Sequence, residues 1–123
     1  MRFDKITTLE LDEENRINRK FVRKNEITDC IYMFVVENRI LYIGKSNCLW
    51  KRFDTYRNSA YWKGAFRNNV KKTKILEKQI RKGKMVDVYV KTCENYYHQE
   101  EKSLIRFFKP VLNTFEVNYY GKN

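Results

Sequence analysis

Six residues of this 123-residue chain have types and spacing that could do chemistry together: Tyr32, Tyr42, Lys45, Arg52, Tyr56 and Glu101. Cations hold and neutralise a phosphate, and a single carboxylate can hold a divalent ion, so the set suits phosphodiester chemistry. Each residue also has a plainer reading. Cross-strand tyrosines are most often packing. Arg52 could snorkel to the rim of a core. Glu101 could equally sit in an ion pair with one of the many Lys and Arg residues.

The tyrosines need a scaffold that brings them together. Residues 30 to 46, CIYMFVVENRILYIGKS, read as a hairpin broken at Glu37-Asn38. A two-residue turn there would pair Val36 with Arg39 and send Tyr32 and Tyr42 to opposite faces. A three-residue loop, Val36-Glu37-Asn38, puts Asn38 where a left-handed conformation is needed and pairs Tyr32 directly with Tyr42. The loop chemistry favours the second register, with both phenols on one face.

Helices must bring the remaining groups. In residues 48 to 58, Leu49, Phe53 and Tyr56 follow helical spacing, and Arg52 falls within their arc, so it points toward the sheet. A last helix is expected from about Tyr96 to Phe108. Its buried stripe is Tyr97, Leu104, Ile105 and Phe108, with Glu101 in the middle and Glu100 at the edge. A carboxylate centred on an apolar face requires a cation, a metal or a neutralising proton.

The rest of the chain reads as one α+β domain over residues 1–123. Residues 1–27 suggest a peripheral hairpin turning at Asp12-Glu13-Glu14-Asn15, residues 61 to 82 a basic loop and helix closed by Gly83, and KMVDVYVKTC a third strand. No leader is expected from the polar N-terminus, and no apolar run approaches a membrane span, so a soluble, cytoplasmic protein is expected. Cys30, Cys48 and Cys93 lack zinc or disulfide spacing and are expected to be reduced.

Charge points to the partner. Lys and Arg number 26 against 15 acidic residues, a net charge of +11. Between Lys63 and Lys91 ten basic residues face only Glu77 and Asp87, with Tyr61, Trp62 and Phe66 at the start of the stripe. Such a stripe is the electrostatic footprint of a phosphate-backbone binder, although basic surfaces also serve acidic membranes and proteins.

The motifs resemble the GIY-YIG nucleases. C-I-Y (30 to 32) stands where that family has G-I-Y, and Y-I-G-K-S (42 to 46) matches its second motif. Arg52 and Tyr56 follow ten and fourteen residues after Tyr42, and residues 101 to 113, EKSLIRFFKPVLN, resemble the metal-binding helix with its closing P-x-x-N. The resemblance covers about residues 30–113 and departs at Cys30, in place of a glycine that is not a catalytic group. Within the family the organisation is most similar to the small bacteriophage endonuclease II type and related restriction endonucleases.

What the resemblance implies is a small three-stranded antiparallel sheet flanked by helices, with the N-terminal hairpin added. It also implies metal-dependent cleavage of DNA phosphodiesters, by nicks or double-strand breaks, and leaves the setting open among phage attack, restriction and repair. Glu101 would be the sole protein carboxylate on one Mg2+ (or Mn2+) ion per site, and Tyr42 the general base, hydrogen-bonded within the Tyr32/Lys45 cluster. Arg52 would stabilise developing charge, Tyr56 would support the phosphate and Asn113 would shape the site by hydrogen bonds. The basic segment 61–84, through Lys63, Arg67, Lys71, Lys72 and Lys74, would bind DNA. A homodimer or higher homo-oligomer is expected, with the tyrosine-rich tail at the interface. The rival readings are a nucleic-acid-binding module that has lost the chemistry and an RNA-acting nuclease. His98 receives no role.

Overall fold

The hairpin around Glu37-Asn38 forms one side of the sheet in the computed structural model, which describes residues 2–93 and 97–113. Strands β2 (Thr28–Val36) and β3 (Arg39–Cys48) are joined by a two-residue turn. Glu37 and Asn38 both take positive φ, 51° and 64°, as the tight turns matched to strand twist require. The expected three-residue loop is therefore not formed: Val36 pairs with Arg39 and Val35 with Ile40. A bulge then shifts the register by one residue, so that Phe34 faces Tyr42 and Tyr32 faces Gly44. Tyr32 and Tyr42 share a face, as expected, but as diagonal neighbours rather than a direct pair. The bulge restores the parity that the two-residue turn alone would have inverted.

Strand β4 (Val86–Thr92) pairs with the other side of β2, and β1 (Asp4–Thr8) pairs with β4. The result is one antiparallel sheet in the order β1-β4-β2-β3. The expected three-stranded sheet thus gains a fourth strand from the N-terminal extension, which covers the edge that β4 would otherwise leave open. What remains of the expected hairpin is the Leu11–Ile17 bridge around a turn in which Asn15 takes a φ of 62°. Arg57 fastens this turn to the first helix through Asp12 at 2.8 Å and Glu14 at 2.6 Å.

Helices α1 (Leu49–Asn58) and α2 (Arg67–Arg81) cover one face of the sheet. Leu49, Phe53, Tyr56 and Leu76 pack there against Tyr32, Phe34, Val86 and Val88. A loop precedes α2, as expected of the basic segment: Gly64 at φ 82° and the extended Phe66 keep residues 61–66 out of the helix. α2 ends as expected at Gly83, also at φ 82°. The Gly83 and Lys84 N–H groups donate back to the carbonyls of Ile80 and Gln79, satisfying the last helical acceptors.

Helix α3 (Tyr97–Phe108) covers the opposite face, where Leu104 and Ile105 pack on Ile31, Met33 and Ile43. Phe108, expected in the buried stripe, is 47% exposed, because the end of the helix overhangs the β2–β3 turn rather than the sheet. The Tyr97 side chain, the expected helix start at Tyr96 and the tail beyond Asn113 lie outside the described residues. Among the described residues no helix is long and apolar enough to cross a membrane. All three cysteines are free.

Candidate active site

Because β3 is the free edge of the sheet, side chains from both helical layers can meet beside it. A pocket of about 360 Å³ opens there. Tyr32 and Tyr42 line it from the sheet, Lys45 from the end of β3, Arg52 from α1, Lys72 and residues 66–69 from the start of α2, and Glu101 from α3. Of the six residues whose types suggested chemistry, all but Tyr56 line this one space, together with Arg67 and Lys72 of the basic segment.

The phenols are recessed. Tyr32, only 1% exposed, shares a 2.5 Å hydrogen bond with the hydroxyl of Tyr56, and their rings meet nearly edge-on at 6.2 Å. Burial, reinforced by the neighbouring Tyr56 and Tyr42, holds the Tyr32 hydroxyl well above the ordinary tyrosine range, with Arg52 opposing. Tyr32 therefore stays a neutral phenol at physiological pH. Tyr56 is fully buried and is not among the residues lining the pocket. Its hydroxyl meets that of Tyr32.

Tyr42 accepts a 2.8 Å hydrogen bond from Lys72 Nζ, which also sits 4.1 Å from the centre of the Tyr42 ring. Lys72 is only 4% exposed. This corrects its expected place on the DNA-facing stripe. Lys63, Arg67, Lys71 and Lys74 are exposed as expected, and Arg67 also lines the pocket. A signal for Lys72 existed. It precedes Leu76 by four residues and Ile80 by eight, on the buried side of α2. Like Arg52 and Glu101, it is a charged residue within an apolar arc.

The two adjacent glutamates of α3 separate cleanly. Glu100 pairs with Lys91 on β4 and is absent from the pocket wall. Glu101 lines the pocket, lies 3.7 Å from Lys45 Nζ and has a side chain only 13% exposed. His98 is exposed on the first turn of α3 and is not among the lining residues. Asn113 is also outside the pocket. Its amide instead behaves like a neighbouring strand: Ile43 N–H donates to Oδ1 at 3.0 Å, and Nδ2 donates to the Ile43 carbonyl at 2.9 Å. It thereby pins β3 between Tyr42 and Gly44.

Gly44 is the sequence feature whose physical role was missed. A β-carbon there would lie 2.5 Å from the Tyr32 ring and hydroxyl and 2.7 Å from the Tyr42 ring. The bare backbone is what allows two phenols to converge over one strand.

Among the described residues no group of three or more His, Cys, Asp or Glu side chains is arranged to hold a metal ion. Glu101 is instead the single carboxylate among the described pocket residues, which include Lys45, Arg52, Arg67 and Lys72. That donor set fits Mg2+, a hard ion that keeps several waters and takes substrate phosphate oxygens as ligands beside one or two carboxylates.

No family model matches the chain. Among curated proteins it is similar to endonuclease II of Enterobacteria phage T4, with 28% identity over 93 residues. The match takes in 76% of this chain and 66% of that protein's length. Among solved structures it is similar to a mutant of bacteriophage T4 EndoII, with a TM-score of 0.74 and 25% identity over 88% of this chain and 89% of the other. Sequence and fold comparisons thus agree with the GIY-YIG resemblance carried by the motifs.

Proposed function

We propose that this chain, a homologue of phage T4 endonuclease II with the GIY-YIG fold, is a metal-dependent DNA endonuclease. The observation that carries the reading is the convergence of four cations and one carboxylate around a phenol that accepts a hydrogen bond from a buried lysine.

In this reading a backbone phosphate enters the pocket between Arg52 and Arg67, whose guanidinium groups are suited to phosphate oxygens. Tyr42 Oη takes a proton from the attacking water as the water oxygen bonds to phosphorus and the ester oxygen on the far side departs. An ordinary phenol is a poor base at neutral pH. The Lys72 ammonium at 2.8 Å, with few competing waters around it, stabilises negative charge on that oxygen. Arg52 lies where it can offset the charge that grows on the phosphoryl oxygens. Glu101 would hold one Mg2+ or Mn2+ ion, which when bound supplies Lewis-acid stabilisation of the same charge. Tyr56 and Asn113 are positioning residues: one fixes the Tyr32 hydroxyl, the other the backbone beside Tyr42. Lys63, Lys71 and Lys74 extend the positive surface along the duplex.

Incubation with supercoiled plasmid, with and without Mg2+, tests the reading. Relaxed or linear product only with the metal supports it. Binding without cleavage under every divalent ion would favour a binding module, and cleavage confined to RNA would favour an RNA-acting enzyme.

We also propose that the enzyme works as a homodimer or higher homo-oligomer, so that two single-ion sites can cut both strands. Phe107 and Val111, 78% and 63% exposed beside Phe108, support an apolar contact at that end of the molecule. The tyrosine-rich tail expected at the interface lies outside the described residues. Light scattering that gives a 15.1 kDa species free, and the mass of the duplex plus one such chain on DNA, would overturn the assembly.

A further inference from the structure

Phe66 sits where neither folding nor the pocket's chemistry accounts for it. At 79% exposed it is the most exposed large apolar side chain among the described residues. It also occupies the N-cap of α2, with φ −63° and ψ 136°, and makes no side-chain cap. Helices favour Ser, Thr, Asp or Asn there. Its neighbour Tyr61 is fully explained: the hydroxyl donates to Glu77 and the ring lies 4.2 Å from the Arg16 guanidinium. Tyr61 anchors the segment, while Phe66 and the half-exposed Trp62 are left facing solvent.

Phe66 nonetheless lines the pocket, directly beside Arg67. The phenol it overlooks is recessed, with Tyr42 only 6% exposed, so a phosphate must leave the regular duplex backbone to reach it. Apolar side chains inserted between base steps supply such distortion, and an aromatic ring stacks on any base without sequence preference.

We propose that Phe66 is a stacking wedge: it inserts against a base next to the scissile phosphate, opens the stack, and lets the backbone descend to Tyr42. The proposal rests on the DNA-endonuclease reading. The substrate feature it recognises is a deformable base step, not a base edge.

The test compares Phe66→Ala and Phe66→Trp with wild type on two duplexes sharing one mapped cleavage step, one fully paired and one carrying a mismatch beside that step. Phe66→Ala is expected to melt at the wild-type temperature and to lose about tenfold or more in cleavage of the paired duplex, from the missing base stacking. It should recover most of that loss on the mismatched one, where the stack is already open. Phe66→Trp should cut both. A 2-aminopurine beside the step should brighten on binding in the Glu101→Ala background and stay dark when Phe66→Ala is added. Equal activity of Phe66→Ala and wild type on the paired duplex, or an equal deficit on both duplexes, would overturn the wedge. Failure of wild type to cut either duplex overturns the endonuclease reading, and the wedge with it.

Discussion

Gly44 lies opposite Tyr32 in the β2–β3 ladder, with the Tyr32 ring standing in the space a side chain at 44 would take. No positive φ is involved, so the requirement is one of space and not of backbone conformation. Gly44→Ala should therefore force both phenols aside. Overpacking of this kind costs about 1–3 kcal/mol. The expected outcome is a melting temperature lower by several degrees, together with loss of cleavage even where the protein is folded. Thermal unfolding and plasmid cleavage on the same preparation check both.

Glu101 and Glu100 are neighbours in sequence with different surroundings. Glu101→Ala should lower cleavage by on the order of a hundredfold or more, the scale seen when one group stabilising transition-state charge is removed. DNA affinity should hold, because the basic surface is untouched. Glu100→Ala removes only the Lys91 pair and should keep cutting. A dead Glu100→Ala beside an active Glu101→Ala would assign the metal to the other carboxylate.

Lys72 should separate from its neighbours on α2. Lys72→Met keeps the length of the side chain but removes the donor to Tyr42, so the cleavage rate at saturating DNA should fall while the salt dependence of binding is unchanged. Neutralising exposed Lys71 and Lys74 should do the reverse. Affinity should weaken across sequences, and the log–log salt slope should shrink by about 0.9 for each phosphate no longer neutralised. Binding titrations from low to moderate salt, paired with single-turnover rates, distinguish the two classes.

The N-terminal extension should loosen in acid. Burial tends to raise the Asp12 carboxyl, but hydrogen bonds from Arg57 and from the Arg16 and Glu14 backbone, with the Arg57 charge, leave it below the ordinary carboxylate range. Asp12 thus binds its proton more weakly in the folded protein than in the unfolded chain. Its stabilisation is complete above the unfolded value of about 3.9 and is lost as pH falls through the folded value. Asp12→Asn should melt below wild type at pH 7, with the gap closing toward pH 3. A gap that widened in acid would contradict the assignment.

Much of this was legible in the residues themselves. Apolar arcs bearing a single charge located Arg52 and Glu101, motif spacing located Tyr32 and Tyr42, and Gly83 marked the end of α2. These are local regularities of three to four residues, and backbone geometry enforces them. The bulge between the turn and Tyr42 was not legible. It arises from the fit of β3 against β2, and no residue near Leu41 demands it. Nor was the attachment of β1 to β4, which depends on an open edge of a strand near the other end of the chain. Lys72 shows the division most sharply. Its spacing from Leu76 and Ile80 puts it on the apolar side of α2, a signal masked by the basic run around it, and only the packing of α2 over the sheet decided that the ammonium would meet the hydroxyl of Tyr42. A sequence fixes which face a side chain takes within its own element. Which partner waits on that face depends on how distant elements dock, and that is settled by burial across the whole core.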